Sequence, residues 1–259
     1  MSTATRKAAL VTGSGTGIGA AIARSLARQG VNVAVNHLGE TDRAPAEAVA
    51  ADCRAAGGEA VVLQGDVGRD EDCRRLVADA AERWGRLDYL VNNAGYSAGR
   101  PLQDYDAVEV VEFERAFAVN TIGPFLLSRY AAAHMRKSGG AIVNISSMAG
   151  LTAMGSSHGY CASKAALLSI TRTMARALGP QVRVNAVCPG LVDTDHPRRV
   201  MGDRFQEIVA LAARQNVLGE ILQPEDIAAT VVFLLLHAEQ VTGEVVRVDG
   251  GGHLGGRLG

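Results

Sequence analysis

Tyr160 and Lys164 lie four residues apart. In a helix that spacing puts both side chains on one face. A phenol has a reference pKa of about 10, too high for proton transfer near neutral pH. A nearby ammonium stabilises the phenolate and lowers that value. The pair therefore reads as a proton donor and acceptor beside its own electrostatic tuner. Cation usage makes the lysine stand out. Of 26 Lys and Arg residues only three are lysines: Lys7, Lys137 and Lys164.

A second chemical signal lies near the N-terminus, in Thr12-Gly13-Ser14-Gly15-Thr16-Gly17-Ile18-Gly19. It follows a strand-like run and opens a helical one. Glycines there permit a tight turn and let backbone approach a pyrophosphate, which the helix N-terminus attracts. Two registers fit: G-x-G-x-x-A on Gly15, Gly17 and Ala20, or TGxxxGxG on Gly13, Gly17 and Gly19. There is no GK[ST], which argues against a nucleoside-triphosphate loop.

These residues need a scaffold, and the apolar pattern supplies one. Strand-like runs fall at Ala8–Thr12, Val31–Asn36, Ala60–Gln64, Leu87–Val91, Ala141–Ile145, Val182–Val187 and Val245–Val248. Helical periods fall between them at about 18–29, 43–56, 70–84, 108–137, 158–178 and 225–237. Near-continuous apolar strands joined by helices predict a parallel sheet covered on both faces. Right-handed crossovers make it a doubly wound α/β (Rossmann) sheet of about seven strands. Residues 1–259 read as a single domain, with 193–222 as a lid over the site.

The bulk numbers narrow the function classes. The chain has 259 residues, 47 % hydrophobic and 20 % charged, enough for a sizeable core. A net charge of −1 gives no pull toward nucleic acid or an anionic membrane. The N-terminus lacks a secretory pattern. The densest apolar stretch, Ile227 to Ala238, is too short to span a bilayer. Cys53, Cys73, Cys161 and Cys188 are scattered and form no metal or disulfide pattern. No His/Cys/Asp cluster has catalytic metal spacing. A reduced, cytoplasmic protein is expected.

Further motifs complete the constellation. Asn92-Asn93-Ala94-Gly95 ends the fourth strand, and Asn120 sits in the long helix. Ser146-Ser147 ends the fifth strand, thirteen residues before Tyr160. Pro189-Gly190-Leu191-Val192-Asp193-Thr194 follows the sixth strand. Val241-Thr242-Gly243 and Val248-Asp249-Gly250-Gly251 close the chain. From about Lys7 to Gly252 the sequence resembles the compact form of the short-chain dehydrogenase/reductase family, with all motifs in order.

The resemblance implies hydride transfer between a nicotinamide cofactor and a ketone or secondary alcohol. It makes Tyr160 the acid/base and gives Lys164 a second bond, to the nicotinamide ribose. It assigns Ser147 to the substrate oxygen and Asn120 to a water linking Lys164 to solvent. Asn93, with Ala94 and Gly95, should lie near the ribose. Asp66 and Val67 should contact the adenine. Val192 and Thr194, beyond the Pro189-Gly190 turn, should touch the carboxamide. An NAD-specific site would place a carboxylate about 20 residues after the glycines. Position 37 is His, which favours NADP(H) over NAD(H), although Glu40 and Asp42 are close and Arg43 is the nearest guanidinium.

An alternative reading is a 3-oxoacyl thioester reductase acting on a carrier protein. Gln181 stands near the end of the catalytic helix, where such enzymes often carry a basic residue, while Arg136 and Lys137 remain available. A non-catalytic cofactor sensor would be signalled by a broken tetrad, and the tetrad is intact. His158 reads as a helix-start surface residue, Arg198 and Arg199 as a solvated lid, and Trp84 as packing. The substrate pocket is expected at Tyr96–Pro101, Met148–Ser157 and the lid. The helices at 108–137 and 158–178 suggest a homo-oligomer, a tetramer or dimer.

Overall fold

Residues 6–195, 197–198 and 202–256 are described in the computed structural model. His196, Arg199, Val200 and Met201 of the expected lid lie outside them. The seven expected strands form one sheet: β1 (Ala8–Val11), β2 (Asn32–His37), β3 (Ala60–Gln64), β4 (Tyr89–Asn92), β5 (Gly140–Ile145), β6 (Val182–Pro189) and β7 (Val245–Val248). Their order is β3-β2-β1-β4-β5-β6-β7, with every pairing parallel. The expected fold class is therefore the observed one.

Each strand buries both faces because successive side chains point opposite ways. On one face Ala9, Val11, Val33, Val35, Val91 and Val143 pack against α1 (Gly17–Arg28), α2 (Arg43–Ala55) and α9 (Pro224–Leu236). On the other, Leu10, Ala34, Leu90 and Ile142 meet α3 (Asp70–Trp84), α5 (Gly123–Met135) and α7 (His158–Leu178). Strand order reverses beside β1, whose neighbours are β2 and β4. Connections leave in opposite directions there and open a crevice at the carboxyl ends of the strands, where ligands of such sheets bind. No described helix is long and apolar enough to cross a membrane.

One expected element is divided. The run at 108–137 forms α4 (Val110–Phe117), a π turn (Ala118–Ile122) and then α5. Pro124 in the first turn of α5 has no N–H, so it cannot bond the Asn120 carbonyl four residues back. The ladder widens by one residue at Asn120. Gly123 adds a second constraint, because a Cβ there would stand 2.3 Å from the Val67 carbonyl oxygen. The π turn thus packs against the loop that follows β3. Short helices α6 (Ala149–Thr152) and α8 (Phe205–Gln215) complete the set used below.

Gly123→Ala should cost about 1–3 kcal/mol, because backbone must move to admit the methyl. Urea denaturation measures this. A loss under about half a kcal/mol would mean that α5 can retreat from Val67 freely.

Candidate active site

The glycine loop joins β1 to α1. Gly13 and Gly17 have φ of 59° and 54°, in the left-handed region. A Cβ on Gly13 would lie 2.8 Å from Ala94 Cα, and one on Gly19 would lie 2.5 Å from Asn93 Nδ2. A Cβ on Gly15 would meet nothing closer than 3.4 Å. Of the two sequence registers, Gly13, Gly17 and Gly19 carry the steric demand. Ser14 is buried, and its hydroxyl donates to the Val11 carbonyl at 2.7 Å. Thr16 is exposed and precedes α1 in an extended conformation, with no side-chain cap on the helix. Ile18 packs inward. The first N–H groups of α1 are therefore free of a side-chain cap at the crevice, the arrangement that suits a phosphate.

Two residues hold this loop: Thr12, which opens the motif, and Asn36, which lies outside it. The Thr12 hydroxyl accepts from the Asn93 and Ala94 N–H groups at 3.0 and 3.1 Å. Asn36 Oδ1 accepts from Gly13 N–H at 3.0 Å, and its amide donates to the Leu63 and Gly65 carbonyls. Asn36 thus stitches together the ends of β1, β2 and β3. Asn93 donates its amide to the Thr12 and Gly13 carbonyls at 2.9 and 3.0 Å. Their signal in the sequence is only that buried polar residues at strand ends need partners.

His37 is buried, with Nδ1 2.9 Å from the Gly39 carbonyl oxygen. Its ring is therefore engaged locally. Arg43 pairs with Glu40 at 3.7 Å on the exposed side. Asp66 lines an open cavity of about 380 Å³ with Leu38, Gln64, Gly65, Arg69, Asp72 and Arg75. Val67 is buried beside it.

The chemical residues converge from β5, α7 and the π turn. Ser157 caps α7, accepting from Tyr160 N–H at 3.3 Å. One turn on, Lys164 is buried and donates from Nζ to the Ile145 carbonyl at 2.7 Å. Its Nζ lies 5.8 Å from the centre of the Tyr160 ring. Ser147 follows β5, and its hydroxyl accepts from Ala149 N–H at 3.1 Å. Gly155 backs the phenol: a Cβ there would lie 3.4 Å from Tyr160 Cδ1 and 2.7 Å from both Ala149 Cβ and Cys161 Sγ.

Asn120 is buried, and its side-chain amide is fully engaged. Oδ1 accepts from Tyr96 N–H at 2.8 Å, while Nδ2 donates to the Tyr96 carbonyl at 2.8 Å and the Ser163 hydroxyl at 2.9 Å. The side chain itself thus joins three segments. Gly95 faces the same space: its Cβ would stand 3.6 Å from Asn120 Oδ1 and 3.7 Å from Lys164 Nζ.

The Pro189–Gly190 turn is anchored on both sides. The Gly190 N–H donates to the Val248 carbonyl at 2.8 Å, and Met148 N–H donates to the Pro189 carbonyl at 3.0 Å. Val192 is buried and bridges Leu222, closing the base of the 193–222 excursion. Thr194 Cγ2 would lie 3.2 Å from a Cβ on Gly17, over the glycine loop. His158 is half-buried, its Nε2 3.0 Å from the Leu102 carbonyl oxygen, so it ties α7 to the 102–107 turn. Arg198 pairs with Asp193 at 2.5 Å and lies over the Phe205 ring, while Arg199 is outside the described residues.

The electrostatics correct one sequence expectation. Burial raises the Tyr160 phenol above its ordinary value, and a hydrogen bond from Ser147 opposes the rise. Burial also pulls the Lys164 ammonium down to about 8. The expected lowering of the phenol by the ammonium does not occur here. Desolvation disfavours both charged forms and is the largest cause of each shift.

A family model described as enoyl-(acyl carrier protein) reductase matches residues 13–253. The 2-(S)-hydroxypropyl-CoM dehydrogenase 3 of Xanthobacter autotrophicus is 40 % identical over 246 residues, covering 93 % of this chain and 94 % of that protein. A crystal structure from Burkholderia xenovorans, described as a short-chain dehydrogenase/reductase, superposes with a TM-score of 0.90. It is 36 % identical over 97 % of this chain and 100 % of that one. A blue fluorescent protein from a metagenomic library, solved with NADPH, gives 0.85 at 37 % identity over 95 % and 97 % of the two chains. A parallel sheet with a glycine loop at its reversal point and a Tyr–Lys pair at its edge defines a dinucleotide-dependent oxidoreductase. The chain belongs to the short-chain dehydrogenase/reductase family.

The buried lysine has a measurable signature. Unfolded, Lys164 keeps its proton to about pH 10.5; folded, only to about 8. The unfolded state binds more protons in that window, so this group's contribution to stability rises with pH across it. Wild-type stability minus that of Lys164→Met should therefore grow by about 3 kcal/mol between pH 7 and 10.5. Paired urea titrations read this difference, in which other titrating groups cancel. A flat difference would mean that Lys164 is not desolvated.

Proposed function

We propose that this chain reduces a ketone, or oxidises the corresponding secondary alcohol, with Tyr160 as the acid/base. The observation that carries the reading is Lys164. It is buried beside Tyr160, yet among the described residues its ammonium donates to a single protein oxygen, that of Ile145. An ammonium has three donors. The space before the other two is bounded by Gly95, which has no side chain to fill it. That fits a ligand bearing hydroxyls, such as a ribose.

The bound nicotinamide cofactor would supply or accept the hydride. Gly13, Ser14, Gly15, Thr16, Gly17, Ile18 and Gly19 would take its pyrophosphate, Asp66 and Val67 its adenine end. Asn93, Ala94 and Gly95 would lie along its ribose, and Pro189, Gly190, Val192 and Thr194 beside its carboxamide. Tyr160 gives its proton to the carbonyl oxygen in reduction and takes it back in oxidation. Ser147 donates to the same oxygen and holds it. Asn120 acts through its hold on Tyr96 and Ser163. Residues 193–222 act as the lid: the excursion is closed at its base and already touches the glycine loop through Thr194. Exposed Val110, Val111 and Ile122 on the α4–α5 side support a homo-oligomer. NADP(H) is the preferred cofactor, because the residue ending β2 is histidine rather than a carboxylate.

Two measurements test this. With a panel of ketones, including 3-oxoacyl thioesters, Tyr160→Phe should lower kcat more than a hundredfold while NADPH still binds. Because burial raises the phenol, it stays protonated near neutral pH. Wild-type reduction should hold there, and alcohol oxidation should climb with pH as phenolate forms. A Phe variant retaining a tenth of wild-type kcat would remove Tyr160 from the mechanism. For the cofactor, kcat/KM with NADPH should exceed that with NADH by about tenfold or more, the discrimination expected from about 1.4 kcal/mol. A reversed preference would refute the reading of position 37.

A further inference from the structure

We propose that Arg115 is a positioning residue for the adenine-nucleotide end of the cofactor, acting through Asp66. This rests on the dinucleotide reading above. Arg115 lies in the last turn of α4, far in sequence from the glycine loop. Its guanidinium reaches the loop just after β3. There Nη1 lies 3.0 Å from Asp66 Oδ2, and Nη2 donates to Oδ1 at 3.0 Å. A hydrogen bond to one oxygen and an ionic contact with the other fix the carboxylate's orientation as well as its charge.

The surrounding backbone is shaped for this fork. A Cβ on Gly68 would lie 2.6 Å from Arg115 Nη1, so any larger residue would displace the guanidinium from this position. Gly68 N–H donates to Asp66 Oδ1 at 2.9 Å. Asp66 N–H is held in turn by Asp72 at 2.9 Å, and Asp72 by Arg75 at 2.6 Å. Asp66 is thus locked from both ends of its own residue, with Oδ2 keeping acceptor capacity beyond Arg115.

The cavity it lines has one apolar wall. Leu38 is 54 % exposed there, an unpacked leucine facing polar neighbours. An apolar side chain lining the same cavity as a fixed carboxylate suits a flat base carrying an amino group. Asp66 unpaired would also repel a ligand rich in phosphate; paired with Arg115 it is neutralised. Arg115 therefore acts twice, by orientation and by charge.

Reduced nicotinamide mononucleotide, which lacks the adenosine half, separates this role from a merely structural one. In wild-type protein, turnover with NADPH and a panel ketone tests the oxidoreductase reading by itself. In Arg115→Met, KM for NADPH should rise about tenfold with kcat within threefold. kcat/KM for the mononucleotide should stay within twofold. Asp66→Asn, which preserves shape, should also raise the NADPH KM, and the double variant should be no worse than Arg115→Met alone. Equal losses on both cofactors would overturn the proposal, since they would mean that α4 had shifted Asn120. An unchanged KM in either single variant, or additive effects in the double, would overturn it equally.

Discussion

The amide of Asn120 is the bond on which the site's assembly turns. It holds both main-chain groups of Tyr96 and the hydroxyl of Ser163, so the β4 loop and α7 share one buried anchor. It can do so because the helix widens where it stands. Pro124 withholds an N–H and Gly123 presses on Val67, and together they force the π turn. A regular helix through 120 would point the amide elsewhere. π turns recur at functional sites for this reason: one extra residue re-aims a side chain.

Around that anchor the protein accepts an unfavourable burial. Lys164 is taken out of water with one carbonyl as compensation, and its affinity for a proton falls. Tyr160 is pushed the other way, toward the neutral phenol. Both shifts have one cause, desolvation, which leaves the phenol neutral and the ammonium easier to deprotonate than a free lysine. The fold tolerates the cost because α7 is packed from the next turn onward by buried Leu167, Leu168, Met174 and Leu178.

Glycine plays a related part at the crevice. Gly13 and Gly19 let the β1 loop touch the β4 loop, and Gly95 leaves open space before Lys164. Thr12, Asn36 and Asn93 then lock these bare backbones with hydrogen bonds. The result is a groove built mostly from main chain, rigid because its polar groups are satisfied.

Much of this was legible in the sequence. Apolar runs of strand length alternating with helical periods specify a parallel sheet, since only burial on both faces rewards such strands. The spacing from Tyr160 to Lys164 is a local property of one helix, so the shared face followed directly. What the sequence could not show was anything set by distance between segments. The choice between two glycine registers depended on Ala94, 81 residues from Gly13, and Asn93, 74 from Gly19. The break in the 108–137 helix depended on contact with Val67, and the partners of Thr12 and Asn36 on which strand ends meet. The direction of the Tyr160 and Lys164 shifts depended on how much water the packed chain excludes. Local periodicity and spacing determined the elements and the identity of the chemical groups. Tertiary packing alone decided their solvation, because desolvation is a property of everything that surrounds a group and not of its neighbours in sequence.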